Sequence, residues 1–171
     1  MKTKIKVIFL DIDGVLITHN SKKQKFDKDC VKNLNYILEK SNAYIVLSSA
    51  WRLNFKTNNE IFNWFLENGI KINKEKVLGK TNNKTFPETE NSKRRDNERG
   101  WQIHSFIKEF NKNNQKYRIN NFIIIDDDYD KYLFKKNWFL IKNYVNGVYC
   151  LEGLKKHHIN GILEILNKHN K

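Results

Sequence analysis

Three short runs of bulky apolar residues in this chain each end abruptly in polar residues. Runs of this length, bounded by turn-forming residues, are typical of buried β-strands. We therefore predict strands at residues 4–10, 42–47 and 121–125, followed in turn by Asp11-Ile12-Asp13-Gly14, Ser48-Ser49 and Asp126-Asp127-Asp128. Two weaker strands are predicted at residues 77–78 and 138–141. Each of the three stronger strands delivers polar side chains at its carboxyl end.

Apolar residues at helical spacing occupy the segments between these strands. Helices are predicted after the capping residue Asp27, before Gly69, around residues 103–110, and from about Lys155 to Asn167. Their apolar stripes are Cys30, Val31, Leu34, Ile37 and Leu38; Ile61, Phe62, Phe65 and Leu66; Ile103, Phe106, Ile107 and Phe110; and Ile159, Ile162, Leu163 and Leu166. Alternating strands and helices favour right-handed crossovers, and hence a mostly parallel sheet covered on both faces. The predicted fold is therefore α/β, with its active site at the carboxyl ends of the strands.

The length and composition of the chain limit the class of protein. A chain of 171 residues that is 39% hydrophobic can bury the core of one domain, so residues 1–171 are predicted to form a single domain. Cys30 and Cys150 are too few for a disulfide framework and lack zinc-site spacing, and both are predicted to be buried. The apolar run at residues 7–10 is far too short for a signal peptide or a membrane span, which predicts a cytoplasmic protein without membrane association.

The chain carries a formal net charge of +13. Lys and Arg residues that neutralise phosphates favour nucleic-acid binding. The excess of basic over acidic residues comes mainly from 27 lysines, since the chain has only five arginines. The chain also has 25 asparagines, and coding bias in an AT-rich genome produces the same combination of many lysines and many asparagines. Three of the five arginines fall in the apolar-poor segment 81–100, which we predict to be an exposed loop.

Asp11 and Asp13 are the first candidates for catalysis. Side chains at i and i+2 of an extended segment point the same way, so both carboxylates can address one ligand, and Gly14 permits a sharp turn. Such a pair can supply a nucleophile and a general acid/base. The alternative for an isolated motif of this kind is an Asp-Gly turn with solvated acids.

Asp126, Asp127 and Asp128 favour the catalytic interpretation. Like charges at the edge of a core are costly unless a cation joins them. Oxygen ligands without nearby His or Cys favour Mg²⁺ over zinc. An acidic loop that caps a helix starting near Asp130 is the alternative, and it accounts for only one of the three carboxylates.

Ser48, Ser49 and Arg52 form a candidate phosphate-binding group. Hydroxyls and backbone N–H groups at the end of a strand can cradle a phosphoryl oxygen. Arg52 lies close enough in sequence to reach the same ligand. A Ser-Ser pair by itself is more often a turn or a helix cap.

Together these motifs resemble the haloacid dehalogenase (HAD) superfamily of phosphatases. The similarity lies in residues 7–16 (VIFLDIDGVL), 45–48 (IVLS) and 124–127 (IIDD), with a basic residue as the third motif. The first and last of these, each behind an apolar strand, are the specific part of the match. The resemblance implies a three-layer Rossmann-like HAD fold and Mg²⁺ as cofactor.

A narrower similarity extends to the HAD domains of RNA-repair proteins and to the 3′-phosphatase half of phage polynucleotide kinase. It lies in residues 48–52 (SSAWR), 79–81 (GKT), 99–103 (RGWQI) and 126–128 (DDD). By that similarity Arg99 is the third-motif cation, with Arg95 and Lys80 as alternatives. Val15 replaces the Thr common after the glycine in the polynucleotide phosphatases, a departure from that family but not from the superfamily.

The resemblance also implies a role for each catalytic residue. Asp11 is expected to attack phosphorus, giving an aspartyl-phosphate. Asp13 is expected to protonate the leaving oxygen and then to deprotonate the hydrolytic water. Ser48 and Arg99 are expected to bind the remaining phosphoryl oxygens.

The same resemblance implies a metal site built from Asp11, Asp13, Asp126 and Asp127. Mg²⁺ is expected on Asp11, Asp126 and the backbone carbonyl of Asp13. Asp127 is expected beside them, orienting Arg99 or a water on the metal.

The spacing of the motifs leaves no room for a large cap domain, either between residues 16 and 27 or within residues 81–98. An open site suits the end of a polymer, whereas small metabolites are usually enclosed to exclude water. Arg94, Arg95 and Arg99, in or beside the segment 81–98, are therefore predicted to track a nucleic-acid backbone. Trp51 or Trp101 is predicted to stack on a terminal base. Core packing is the alternative for the two tryptophans.

These observations predict a Mg²⁺-dependent phosphatase that removes terminal phosphate from nucleic-acid ends, RNA rather than DNA, in RNA end repair. A nucleotidase or a phosphoprotein phosphatase of the same fold is the first alternative. A basic nucleic-acid-binding module with a decayed catalytic site is the second. The sequence does not identify a repair kinase or ligase partner on a separate chain.

Overall fold

The computed structural model describes residues 1–22, 25–82, 98–128, 133–142, 144–145, 148–149 and 152–168. Within these ranges the elements are β1 (Thr3–Leu10), α1 (Lys28–Ser41), β2 (Tyr44–Leu47), α2 (Asn58–Glu67), β3 (Val77–Lys80), α3 (Glu98–Asn113), β4 (Tyr117–Asp126), β5 (Trp138–Leu140), β6 (Tyr144–Val145), β7 (Val148–Tyr149) and α4 (Ile159–Asn167). Short 3₁₀ helices lie at Ala50–Asn54, Lys74–Lys76 and Lys156–His158.

Strands β1 to β5 form one parallel sheet in the order β3-β2-β1-β4-β5, and β6 pairs with β7 as a separate antiparallel ribbon. The central strand β1 is inaccessible to solvent from Val7 to Leu10. A strand covered on both faces needs a continuous apolar run rather than alternation. The predicted α/β fold with a parallel sheet is confirmed.

Three helices cover one face of this sheet, and α3 covers the other. Ile8 and Leu10 of β1 pack in one apolar cluster with α1, α2 and α4. Val7 and Phe9 point into a second cluster, which Ile103 and its neighbours on α3 close. Successive strand residues alternate between faces, so a single strand supplies both cores.

The start of α1 and the burial of two predicted helix residues can be compared with the sequence analysis. Oδ1 of Asp27 accepts hydrogen bonds from the backbone N–H groups of Asp29 (2.9 Å) and Cys30 (3.2 Å), which confirms the predicted cap. Cys30 is buried as predicted, whereas Cys150 lies outside the described residues. The prediction for Leu66 is wrong, because this side chain is 46% exposed. It lies about 140° around α2 from the buried Ile61, beyond the edge of the apolar stripe.

Strand β4 begins at Tyr117, four residues before the predicted start at Asn121. A register shift opposite Ile5 and Lys6 of β1 accommodates one extra residue of β4. Asn121 is buried, and its amide donates to the carbonyls of Leu166 (2.7 Å) and Lys168 (2.9 Å) at the end of α4. This satisfied polar residue interrupts the apolar pattern from which the strand was predicted.

The crossover between β1 and α1 holds turns and an isolated bridge between Asp13 and Ile17, with no folded cap in its described residues. Residues 83–97 lie outside the described ranges. The exposed loop predicted there, with Arg94 and Arg95, therefore stays a prediction.

Candidate active site

The carboxyl ends of four neighbouring strands bring polar side chains to one edge of the sheet. Asp11 follows β1, Ser48 follows β2, Thr81 follows β3 and Asp126 ends β4. Their backbones extend the parallel ladder: Asp11 N–H donates to Ile125, Ser48 N–H to Leu10 and Thr81 N–H to Leu47, at 2.9–3.0 Å. The N–H of Ser48 is thereby used in the sheet, so its hydroxyl is the group that remains for a ligand.

Asp11, Asp126 and Asp127 form a carboxylate cluster in which one oxygen from each residue lies within 4.8 Å of the others. Asp11 is 5% exposed and Asp126 1% exposed. The N–H of Asp128 donates to Oδ1 of Asp126 at 2.9 Å, which holds the turn after β4 in place. The side chains of Asp13 and Asp128 do not belong to this cluster.

Arg99, in the first turn of α3, joins the cluster to the end of β2. Its Nη1 lies 3.1 Å from Oδ1 of Asp11 and 2.9 Å from Oδ2 of Asp126, and it donates to the carbonyl of Ser48 at 2.6 Å. Charge-assisted contacts of this length are among the strongest in proteins. Arg99 is therefore the cation that the structure places against both acidic motifs.

The electrostatics of the cluster result from burial and from its excess of negative charge. Burial raises the pKa of Asp126 well above its ordinary value, and the charge of Asp11 acts in the same direction. Burial also disfavours the charged form of Arg99, but Asp126 and Asp11 outweigh that effect and raise the pKa of the guanidinium. Three carboxylates and one guanidinium leave a formal charge of −2 when all are ionised.

A hard divalent cation fits this donor set. Carboxylate oxygens are the ligands that Mg²⁺ prefers, and a charge of −2 matches one such ion. The cluster contains Asp11, Asp126 and Asp127 of the predicted ligands, whereas the Asp13 carboxylate lies elsewhere. A contribution from Asp13 rests on its backbone carbonyl, as the family resemblance implies.

Gly14 packs directly against the carboxylate of Asp127. Its φ of +68° is in the left-handed region that favours glycine. A Cβ built at this position falls 2.6 Å from Cγ of Asp127 and closer still to its Oδ2. Any side chain here therefore displaces Asp127 and strains the turn that carries Asp13.

Asp13 is exposed, and Trp51 fixes one of its oxygens. The indole Nε1 of Trp51 donates to Oδ2 of Asp13 at 3.0 Å. Trp51 stacks on Trp64, with ring centroids 5.5 Å apart and a 22° interplanar angle. Trp64 in turn packs against Phe26 (4.8 Å) and Phe55 (5.0 Å). The tryptophan predicted to stack on a base thus stacks on another tryptophan and holds Asp13; base stacking on its other face stays a prediction.

Two buried hydroxyls at the site have no hydrogen-bond partner within the described part of the chain. They are Oγ of Ser48 and Oγ1 of Thr81, on residues that are 0% and 1% exposed. A buried hydroxyl left unpaired is costly unless a ligand completes it. Thr81 was missed as a site residue because the strand before it was predicted only at residues 77–78, whereas β3 extends to Lys80. Its place in the segment 79–81 (GKT), which carries part of the narrower family similarity, was the signal that could have found it.

The remaining phosphate candidates have structural contacts. Oγ of Ser49 accepts from the Trp51 N–H at 3.3 Å and caps the 3₁₀ helix, while Nη1 of Arg52 donates to the Ser49 carbonyl at 2.9 Å. Lys80 donates to the carbonyls of Arg52 and Phe55, away from the carboxylates. Phosphate binding by Ser49 and Arg52 stays a prediction. Among the third-motif alternatives, the contacts support Arg99 over Lys80, and Arg95 lies outside the described residues.

The sheet order and the polar groups at its carboxyl edge define a HAD-type Rossmann-like fold. The family model for the HAD domain in Swiss Army Knife RNA repair proteins matches residues 7–156, so the chain belongs to that family. No curated protein and no solved structure matches the chain significantly. Among the described helices, none combines the length and the hydropathy that crossing a bilayer requires.

Proposed function

We propose that this chain is a Mg²⁺-dependent phosphatase that removes terminal phosphate from RNA through an aspartyl-phosphate intermediate. The observation that carries the proposal is the meeting of Asp11 with Asp126, Asp127 and Arg99 at the carboxyl edge of the sheet. A buried carboxylate held by a guanidinium beside further acids suits phosphoryl transfer better than it suits a stabilising ion pair.

In this mechanism Asp11 is the nucleophile and Asp13 the general acid and base. A carboxylate oxygen of Asp11 bonds to phosphorus as the bond to the leaving oxygen breaks, and Asp13 gives that oxygen a proton. Water then attacks phosphorus, the bond to Asp11 breaks, and Asp13 takes a proton from the water. The exposure of Asp13 lets a leaving group reach it from solvent.

The phosphoryl oxygens are bound by donors fixed in the sheet. The unpartnered hydroxyls of Ser48 and Thr81 are suited to donate to them, and Arg99 supplies positive charge. Asp11, Asp126, Asp127 and the backbone carbonyl of Asp13 would hold Mg²⁺. When bound, the ion offsets the negative charge on the phosphoryl oxygens during transfer.

An RNA end is the proposed substrate because three observations agree. The matching family is that of a HAD domain in RNA repair proteins. The chain has a formal net charge of +13. The described residues between β1 and α1 form no folded cap over the site. A single domain and a cytoplasmic location belong to the same proposal. Nucleotides and phosphoproteins are the competing substrates.

A phosphate-release screen tests the proposed function. The substrates are 3′- and 5′-phosphorylated RNA and DNA oligonucleotides, mononucleotides and a phosphopeptide, with Asp11→Asn as the inactive control. We expect release from phosphorylated RNA that the variant lowers at least a thousandfold while its melting temperature stays within a few degrees. Faster release from mononucleotides would favour a nucleotidase. RNA binding without release from any substrate would identify a binding module and refute the proposal.

A further inference from the structure

A long open groove lies along the outer side of α1, apart from the carboxylate cluster. Its open volume, between α1, the start of α4 and the chain segment that leads into β3, is about 1370 Å³. Six lysines line it: Lys28, Lys32, Lys71, Lys76, Lys155 and Lys156. Asp29 and Glu39 are its only acidic lining residues among those described. We call this feature the α1 groove.

Lysines outnumber acidic residues in the lining of the α1 groove. Six of its 19 lining residues are lysines and two are acidic, which gives a formal charge of +4. Lysine makes up a similar share of the exposed residues in the described part of the chain, so the groove is as basic as the surface around it. The groove differs from that surface in placing its lysines around one concave volume.

Ion pairs within the described part of the chain do not neutralise these six lysines. The lysine ion pairs within 4 Å there are Lys40 with Glu39 and Lys168 with Glu164, neither of which involves a groove lysine. Lys76 contacts the side-chain oxygen of Asn42, which carries no charge. The groove therefore presents positive charge that no ion pair of the described residues offsets, and such a surface can bind a polyanion.

The α1 groove begins at the carboxyl edge of the sheet, the edge that also carries the candidate active site. Crossover helices of a parallel sheet start at its carboxyl edge, so Lys28 lies at the end of α1 nearer Asp11 and Asp13. Thr18 donates to Asp27, the cap of α1, at 3.0 Å, and the N–H of Leu154 donates to the carbonyl of Val15 at 2.9 Å. The loop after Asp13 thus joins the two walls of the groove where Lys28 and Lys155 stand.

The length and lining of the groove fit a single nucleic-acid strand. The 14 residues of α1 span about 21 Å, room for at most about six nucleotides at 3.4 Å per phosphate of a stacked strand. Tyr36 lies midway and is 46% exposed. Grooves that bind single strands combine positive charge along the backbone with aromatic faces for bases.

We propose that the α1 groove binds the sugar-phosphate backbone of the RNA strand whose terminal phosphate enters the active site. This inference rests on the proposed function in one respect, namely that the phosphorylated end of the strand points to the active site. Binding of RNA to the groove lysines does not require turnover, so binding and catalysis can be tested separately.

The test compares Lys28→Gln/Lys32→Gln/Lys156→Gln with a control of equal charge, Lys108→Gln/Lys112→Gln/Lys135→Gln, whose exposed lysines lie outside the groove. Fluorescence anisotropy measures binding of single-stranded RNA of two, four and eight nucleotides without terminal phosphate, across a salt series. For the groove variant we expect the slope of log K against log salt for the octamer to fall by about 2, since three phosphate contacts are lost. The control should keep the wild-type slope.

Catalysis supplies the second arm of the test. Hydrolysis of p-nitrophenyl phosphate should be unchanged in both variants, and kcat/KM for a phosphorylated RNA octamer should fall about tenfold or more in the groove variant only. Equal losses of RNA binding in both variants, or tighter competition by poly-glutamate than by RNA, would overturn the groove assignment. If RNA binding depends on the groove but no phosphate is released by the wild type, the proposed reaction fails while the groove stands.

Discussion

Replacing Trp51 with Phe tests whether this residue positions Asp13 for proton transfer. The indole N–H donates a hydrogen bond to Oδ2 of Asp13, at 3.0 Å. Phenylalanine retains an aromatic face for stacking on Trp64 but has no donor. The substitution therefore removes the contact to Asp13 and leaves most of the packing.

The size of the effect depends on that one hydrogen bond. Bonds to charged groups contribute about 1.5–3 kcal/mol, and the exposure of Asp13 lowers this to about 1–1.5 kcal/mol. Since 1.36 kcal/mol corresponds to a factor of ten in rate, we expect kcat to fall about five- to tenfold. The loss stays below the full contribution of a general acid, because Asp13 itself remains.

The leaving group separates positioning of Asp13 from general damage. A ribose hydroxyl needs a proton as it departs, whereas p-nitrophenolate leaves as a stable anion. We therefore expect Trp51→Phe to lower kcat on phosphorylated RNA with little change in KM, and to leave p-nitrophenyl phosphate hydrolysis within about twofold of the wild type. Asp13→Asn should show the same selectivity more strongly.

Asp13→Asn is the comparison variant, because it changes the carboxylate that Trp51 contacts and leaves the indole in place. Steady-state kinetics of both variants on both substrates, with melting temperatures, complete the assay. If Trp51→Phe slowed the two substrates equally, or raised KM for RNA without changing kcat, the positioning role would be refuted. The second result would instead favour base stacking by Trp51.

Three further outcomes are expected. EDTA should abolish turnover and Mg²⁺ restore it, whereas Ca²⁺, which accepts more ligands, should bind without restoring the rate; full activity in chelator would contradict the metal site. Gly14→Ala should lose about 1–3 kcal/mol of unfolding free energy and most of its Mg²⁺ response. Gly69→Ala, also at positive φ but with only an ordinary van der Waals contact of 3.6 Å to Val31, should lose about 1 kcal/mol and keep its activity. Burial, with the charges of His157 and Lys155, lowers the pKa of His158 to about 4, so the unfolded chain binds this proton first and stability should fall as the pH drops from 6.5 towards 4. Melting temperatures across that range should depend less on pH in His158→Gln.

The strands and the acidic residues at their ends could be predicted from the amino-acid sequence alone. A strand covered on both faces must be apolar throughout, so β1 and the second half of β4 are visible as unbroken runs, and Asp11 and Asp126 mark where those runs stop. The cap of α1 is equally local, since Asp27 bonds N–H groups two and three residues ahead. Because the carboxyl ends of parallel strands share one edge, these local signals also predicted which acidic motifs meet.

The contacts between distant side chains became known only from the folded chain. Arg99 and Lys80 were both candidate cations in the sequence, yet Arg99 pairs with Asp11, while Lys80 turns to the carbonyls of Arg52 and Phe55. Trp51 contacts Asp13 across 38 positions. The α1 groove likewise joins lysines of α1 with lysines more than a hundred positions later. Such partners depend on how helices and loops pack against the sheet. Residue type and local hydrophobic periodicity do not determine that packing.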